Sequence, residues 1–394
     1  MTKADLIKWA FNHLDLVFSV LRWIKPTLVL NGKAFVTRYD DVIEVLDRDW
    51  VFRVPYAEKM DKVTHGSNFF LGMDNTEQYT LDVSNMHLTA RREDINHLIT
   101  PFVDRTCTEI LSVSNGKMDV IQELTRVVPT RLIGKYFGTP GWNETEFTDA
   151  ATAIFQYLFY PYDPKVEEVA LLAAEKTRDY LDQTIAERKS NRIRCDDDVL
   201  GRCLKLQNAG LSGMDDLNIR NNLIGLLIGA IPTTSKSAAI TLNHLFNNPQ
   251  LLVKAQQAAR VDDNQLMIQY VQESLRLNPF AAGIQRICAE DYVVAKGTLR
   301  STKIPKGTVV LAATQSAMMD RLKITQPSQF RLDRPAYSYM HFGYGLHTCF
   351  GQYINLAQIP AIVKAVLKQK ALRRTSEMKS IGPFPVNLEI EFDV

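Results

Sequence analysis

The stretch HFGYGLHTCFGQ, residues 341–352, gathers three of the chain's 19 glycines around one cysteine, Cys349. Glycine is concentrated where a backbone must turn through positive φ or lie close against something. With aromatics and a histidine beside the cysteine, this is a loop shaped to meet a flat, bulky partner.

Composition narrows what that partner could be. Among 394 residues, Lys plus Arg is 46 against 44 for Asp plus Glu, a net charge of +2. A nucleic-acid binder would show a basic excess or stripe, and none is present. The 46% hydrophobic content supports a sizeable core. Length alone would allow two domains, but no linker-like stretch divides the chain. The cysteines Cys107, Cys195, Cys203, Cys288 and Cys349 are odd in number and scattered. With no C-x-x-C pair, neither a zinc ribbon nor a thioredoxin-like site is expected, and a reducing cytoplasm is the natural setting. The apolar N-terminal stretch 6–24 is broken by Lys8, Asn12, His13, Asp15 and Arg22. A membrane span needs roughly 18 or more apolar residues. The stretch is therefore read as an amphipathic helix on the body rather than a transmembrane anchor, with a helix lying on a membrane surface as the other reading.

Apolar residues recur at helical steps in 40–49, 92–114, 120–138, 166–191, 215–249 and 263–279. The middle of 215–249 is apolar on every face and should run through the core. Strand patterns are few: 34–39, 308–314 and 386–394. No repeat, low-complexity segment, Gly-x-Gly-x-x-Gly or P-loop is found, so no nucleotide domain is signalled. The expected fold is mainly α with a small β portion.

Phe342-Gly343-Tyr344-Gly345-Leu346-His347-Thr348-Cys349-Phe350-Gly351 follows the pattern F-G-x-G-x-H-x-C-x-G. It resembles the heme-binding signature of the cytochrome P450 family at every fixed position. Upstream, Glu273-Ser274-Leu275-Arg276 is similar to the family's E-x-x-R. PSQFRLDR (327–334) puts Arg334 where the family has the arginine closing a network with that pair. The three in this order are far more specific than any one of them.

The resemblance implies a single P450-like domain over 1–394, with its signature at 342–351 and a central helix at about 215–247. It implies heme b (iron protoporphyrin IX), buried between that helix and the cysteine loop. Cys349 is then the axial iron ligand, with Phe342, Gly345 and Gly351 around it and His347 and Arg286 placed for the propionates. A thiolate is the form of cysteine that ligates iron, and backbone N–H groups brought near by Gly345 and Gly351 would protect it. Opposite the O₂ site, a thiolate favours O–O cleavage. Glu273, Arg276 and Arg334 are read as structural, a buried carboxylate satisfied by arginines. In HLTARR (87–92), His87 and Arg91 stand four apart, on one face of a helix. Bacterial members have a histidine and an arginine at this spacing for the propionates. A shifted register would put Gln78 and Asp82 there instead, and the clamp would be lost.

The pattern breaks at LLIGAIPTTSKS (226–237). The family's A/G-G-x-D/E-T-T becomes Gly229-Ala230-Ile231-Pro232-Thr233-Thr234. Thr233 keeps the catalytic hydroxyl position, while the acid is replaced by Pro232. Proline in a helix interior costs roughly 3 kcal/mol and leaves the carbonyl four residues back, that of Ile228, without its partner. A kink is expected there. Pro232 also has no group that could relay a proton.

Two functions follow from the resemblance. One is a monooxygenase inserting one oxygen atom of O₂ into an apolar small molecule. Its electrons would come from separate redox proteins, ferredoxin and ferredoxin reductase, because no flavin or iron–sulfur motif is present. The other starts from a peroxide, as a peroxygenase or a hydroperoxide-rearranging enzyme. A heme protein without catalysis, such as a gas sensor, is the third class. Substrate contacts are expected from Gly229, Ala230, Phe280, Ala281 and Ala282, and from Phe69 and Phe70 in a flexible wall at 54–72. The stretch 154–162 is expected to be a lid helix ending at Pro161.

Overall fold

The computed structural model describes residues 13–66, 68–161, 163–190 and 197–394. Residues 6–12 of the expected N-terminal helix and Cys195 lie outside them. The chain forms two compact units, Met1–Pro55 with Gln272–Phe350, and Tyr56–Val271 with Gly351–Val394.

The first unit is built on a five-stranded sheet. Its spatial order is Thr27–Leu30, Lys33–Val36, Val309–Ala312, Ile284–Cys288 and Phe52–Arg53. Asn31 and Gly32, both at positive φ, make the two-residue turn of the first hairpin, which sets its register at Leu30 opposite Lys33. Lys33–Val36 then runs parallel to Val309–Ala312. The expected strand at 34–39 stops at Val36, because Asp320 turns the chain into the helix Tyr39–Asp47. One oxygen of Asp320 accepts from the Tyr39 N–H at 3.1 Å and the other from Arg38 at 3.1 Å. This caps a donor the helix itself cannot satisfy. Val36, Val42, Val45, Leu46, Phe52 and Val310 fill the core beneath the sheet.

At the end of the helix Asn264–Leu277, Glu273 and Arg276 are fully buried. Arg276 donates to both Glu273 carboxylate oxygens, at 2.6 and 2.8 Å, and Arg334 Nε donates to one of them at 2.8 Å. The remaining guanidinium donors go to the carbonyls of Met318, Thr325, Gln326, Pro327 and Gln329. Two arginines thus hold Glu273 and the chain that leads toward the cysteine loop in one arrangement.

The second unit is mostly helical. Its axis is the helix Asp216–Phe246, started by Asp215, whose side chain accepts from the Asn218 N–H. By length and hydropathy this helix could cross a bilayer, but most of its residues are buried inside the protein, as a core helix requires. It runs continuously through Pro232, which has no N–H to return to the Ile228 carbonyl. Ile231, Pro232 itself and Thr234 are buried, and this packing supports the helix against the local proline penalty. Glu144–Phe159, Pro164–Ser190 and Gln352–Leu367 belong to the same unit. The expected strand at 386–394 is two strands in different sheets. Phe384–Asn387 pairs with Lys379–Ile381, and Glu389–Asp393 lies between Lys117–Asp119 and Lys370–Arg374.

Burial opposes ionisation of Glu273, but the bonds from Arg276 and Arg334 prevail and hold its carboxyl below the ordinary value of 4.5. A carboxyl lowered by folding contributes stability above its unfolded value and loses it as pH falls through the folded one. Glu273→Gln leaves two arginines facing a neutral group and is expected to cost about 3–5 kcal/mol at pH 7. Urea midpoints measured from neutral to acid pH check this: the wild type's advantage over the variant should shrink as pH falls.

Candidate functional site

The cysteine loop is closed by its own backbone. The Cys349 N–H donates to the Phe342 carbonyl at 2.8 Å, and the Gly343 N–H to the Met340 carbonyl at 3.2 Å. The Thr348 N–H and hydroxyl both donate to the Gly345 carbonyl. Gly343 has φ +78° and Gly345 φ +71°, and a Cβ on Gly345 would lie 3.0 Å from the Leu46 carbonyl oxygen. The conformational need for glycine therefore falls on 343 and 345. Gly351, expected to share it, has φ −82° and is the residue preceding the helix Gln352–Leu367.

Cys349 differs from the other described cysteines. Cys107, Cys203 and Cys288 are buried, and burial pushes their thiols up, Cys203 to about 12. Those are inert packing thiols. Cys349 is only partly buried and stands three residues before a 16-residue helix, where the N-terminal end of the peptide dipoles favours negative charge.

The strand Ile284–Cys288 lies along this loop. Ile284 Cδ1 is 3.3 Å from where a Gly343 Cβ would be, and Arg286, two residues on and on the same strand face, acts electrostatically on His347. Burial pushes the His347 imidazole down to about 4, Arg286 adds to this and Asp49 opposes it. Arg286 is itself buried and donates to the Gln285 carbonyl. A buried guanidinium beside an imidazole suits the acid groups of a ligand. Phe280, Ala281 and Ala282 precede this strand and remain partly or wholly exposed.

On the helix Asp216–Phe246, Gly229, Ala230 and Thr233 are partly exposed within an otherwise buried run. Their spacing puts them on one face, and a Cβ on Gly229 would meet nothing within 4 Å. That face borders open space. The Thr233 hydroxyl donates to the Gly229 carbonyl at 2.5 Å. Thr234 turns the other way, into a buried network with Asn355 at 2.9 Å and Gln358 at 3.0 Å.

Two expectations change. Phe69 and Phe70 are buried rather than lining a wall, with the Phe69 ring packed where a Gly225 side chain would be. His87 and Arg91 do not share a helical face, because the helix Glu77–Thr89 ends before Arg91, which folds back to the Leu88 carbonyl. The i,i+4 pair that forms is Gln78 with Asp82, at 2.7 Å. Burial first of all, against bonds from Gln78 and Asn222, raises the Asp82 carboxyl to about 6. Thr76, whose side chain accepts from the Tyr79 N–H, fixes this helix start, and a reading of Thr-Glu as its N-terminal signal would have found the register.

The residues present fit a heme. No cluster of His, Cys, Asp and Glu able to hold a metal ion exists among the described residues, so iron held by Cys349 must bring its other ligands with it. A porphyrin does so, and its propionates match Arg286 and His347.

Gly225→Ala should force Phe69 out of its seat and cost about 1–3 kcal/mol. A thermal or urea unfolding curve checks it, and an unchanged midpoint would mean the Phe69 seat is not tight.

The family model described as Cytochrome P450 matches residues 27–377. Cytochrome P450 CYP107DY1 of Priestia megaterium is 24% identical over 389 residues, 90% of each chain. Mycinamicin IV hydroxylase/epoxidase of Micromonospora griseorubida is 24% identical, over 85% of this chain and 81% of that one. A crystal structure of P450BioI in complex with hexadec-9Z-enoic acid ligated acyl carrier protein aligns with a TM-score of 0.83 at 19% identity, covering 98% of this chain and 100% of that one. Loop, fold and family match converge on one conclusion: the chain belongs to the cytochrome P450 family, whose cofactor is heme b.

Proposed function

We propose that this protein is a monooxygenase that inserts one atom of O₂ into an apolar small molecule, with electrons from separate redox proteins such as a ferredoxin and its reductase. The observation that carries the reading is the Cys349 loop, a partly open thiol on glycine-turned backbone just before a helix. Relatives named as a hydroxylase/epoxidase and a vitamin D(3) 25-hydroxylase support oxygen insertion.

When bound through a thiolate, heme supplies the redox chemistry that cleaves the O–O bond. The chain's own residues bind, orient and protect. Cys349 would be the ligand, held by the Phe342–Cys349 backbone closure and the positive-φ turns at Gly343 and Gly345. Arg286 and His347 would hold the heme's acid edge. Gly229 and Ala230 leave room for an apolar substrate along the central helix. In the first unit, Phe280, Ala281 and Ala282 are partly or wholly exposed apolar residues suited to such a substrate. Thr233 holds a proton at Oγ1, its hydroxyl oriented by the Gly229 carbonyl.

One observation favours a second reading, a peroxide-driven enzyme. Pro232, buried in an unbroken helix, offers no acid where proton delivery to dioxygen needs one. Peroxide arrives already carrying its protons and electrons.

Two incubations separate the readings. A panel of alkanes, terpenes, steroids and macrolides is given to the heme-loaded enzyme with surrogate ferredoxin, reductase and NADPH, or with hydrogen peroxide and no reductant. Product in the reductant arm is expected. Product confined to the peroxide arm rejects the monooxygenase reading and leaves the second.

A further inference from the structure

The long helix carries a second departure, one turn beyond Pro232. Lys236 is buried in it, a lysine in a segment otherwise made of apolar and small residues. Its Nζ donates to the Tyr160 hydroxyl at 3.0 Å and lies 5.6 and 5.7 Å from the centres of the Tyr160 and Phe384 rings. Phe155 closes the aromatic group, 6.4 and 6.1 Å from the same rings. Lysine is rarely buried in such a setting, and its stem and charge both lose freedom there.

Its place on the helix is the informative feature. Gly229, Thr233 and Lys236 fall in one stripe, and helix side chains lean toward the N-terminus over the preceding turn. The Lys236 stem therefore covers the turn of Pro232 and Thr233, beside the open face at Gly229. Tyr160, only partly buried, connects the ammonium to the solvent side.

We propose that Lys236 carries protons to the Thr233 hydroxyl, in place of the acid displaced by Pro232. This rests on the O₂-dependent reading, in which RH + O₂ + 2 H⁺ + 2 e⁻ gives ROH + H₂O and the redox proteins supply the electrons. For each proton, a Lys236 N–H bond breaks, its electron pair stays on nitrogen, and the proton passes to Thr233 Oγ1, whose own proton moves on. The neutral amine is reprotonated by the Tyr160 O–H, which takes a proton from solvent. Lys236 acts through Thr233 and is a positioning and relay residue.

Burial lowers the Lys236 ammonium to about 8, close to the working range a proton donor needs. Around it stand Tyr160, just past the helix Glu144–Phe159, and Phe384 of the strand Phe384–Asn387, with Phe155 behind their rings, while helical spacing sets Thr233 three residues back on the same stripe. Tyr160 alone among these ionises, and burial raises it to about 12, so it stays neutral while Lys236 titrates.

The test uses heme-loaded wild type, Lys236→Met and Lys236→Arg with ferredoxin, reductase, NADPH and the panel member that is turned over fastest. The readouts are product per NADPH, hydrogen peroxide released and the pH profile. Arginine keeps charge and hydrogen bonding but does not release its proton. Both variants should lose product per NADPH by about 10²-fold, with electrons recovered as peroxide. Wild-type turnover should fall as pH rises through about 8. Separately, ¹³C-lysine spectra of the diamagnetic ferrous carbon monoxide form should show one lysine titrating there, absent from Lys236→Met. Recovery of coupling by Lys236→Arg, unchanged coupling in Lys236→Met, or the absence of that titration overturns the relay. A wild type inactive with reductant removes the monooxygenase reading and the relay together; an active wild type matched by its variants removes the relay alone.

Discussion

A single sulfur has to stay reachable and ionisable while everything around it stays still, and this requirement organises the first unit. Three other described cysteines show what happens otherwise: in the core their thiols are raised and silent. Cys349 is instead held partly exposed by its backbone, since Gly343 and Gly345 take conformations that side chains resist and the Phe342 carbonyl ties the loop shut. The Glu273–Arg276–Arg334 cluster does the equivalent work upstream. Its charge-assisted bonds to one another and to carbonyls within 325–329 tie that stretch of chain to the buried Glu273.

The long helix of the second unit shows a different balance. Its flanks are packed well enough to carry a proline and a lysine that an isolated helix would refuse or expose. Such local violations of the folding rules are tolerated where they serve a task. Here they fall within one turn of each other, next to the open face of Gly229, Ala230 and Thr233. Replacing an acid by proline and placing a lysine one turn later changes which group handles protons without changing the scaffold.

Much of this was readable in the sequence, for identifiable reasons. The cysteine loop declares itself because glycines at positive φ and a helix start impose a fixed spacing on neighbouring residues. The mainly helical body follows from period 3.6, and the buried central helix from apolar residues on all faces. Other features depend on tertiary partners. Val36 ends its strand because Asp320, far along the chain, caps the next helix. Phe69 is sealed because Gly225 makes a seat for it. Pro232 leaves the helix unbroken because packing outweighs local propensity. The register of 77–89 could have been read from Thr76 as a capping residue; the basic HLTARR, which holds the helix end, drew the reading away. Lys236 carries no sequence signal of its own, and its interest comes from Tyr160 and Phe384.

The account stands on a thiolate at position 349 bound to heme iron. Its most direct test is the absorption spectrum of the reduced carbon monoxide complex, taken on hemin-supplied wild type and Cys349→Ser. Wild type should show a strongly red-shifted Soret band that the variant lacks. A heme-replete wild type with an unshifted band, or a variant with the same red-shifted band, would contradict it.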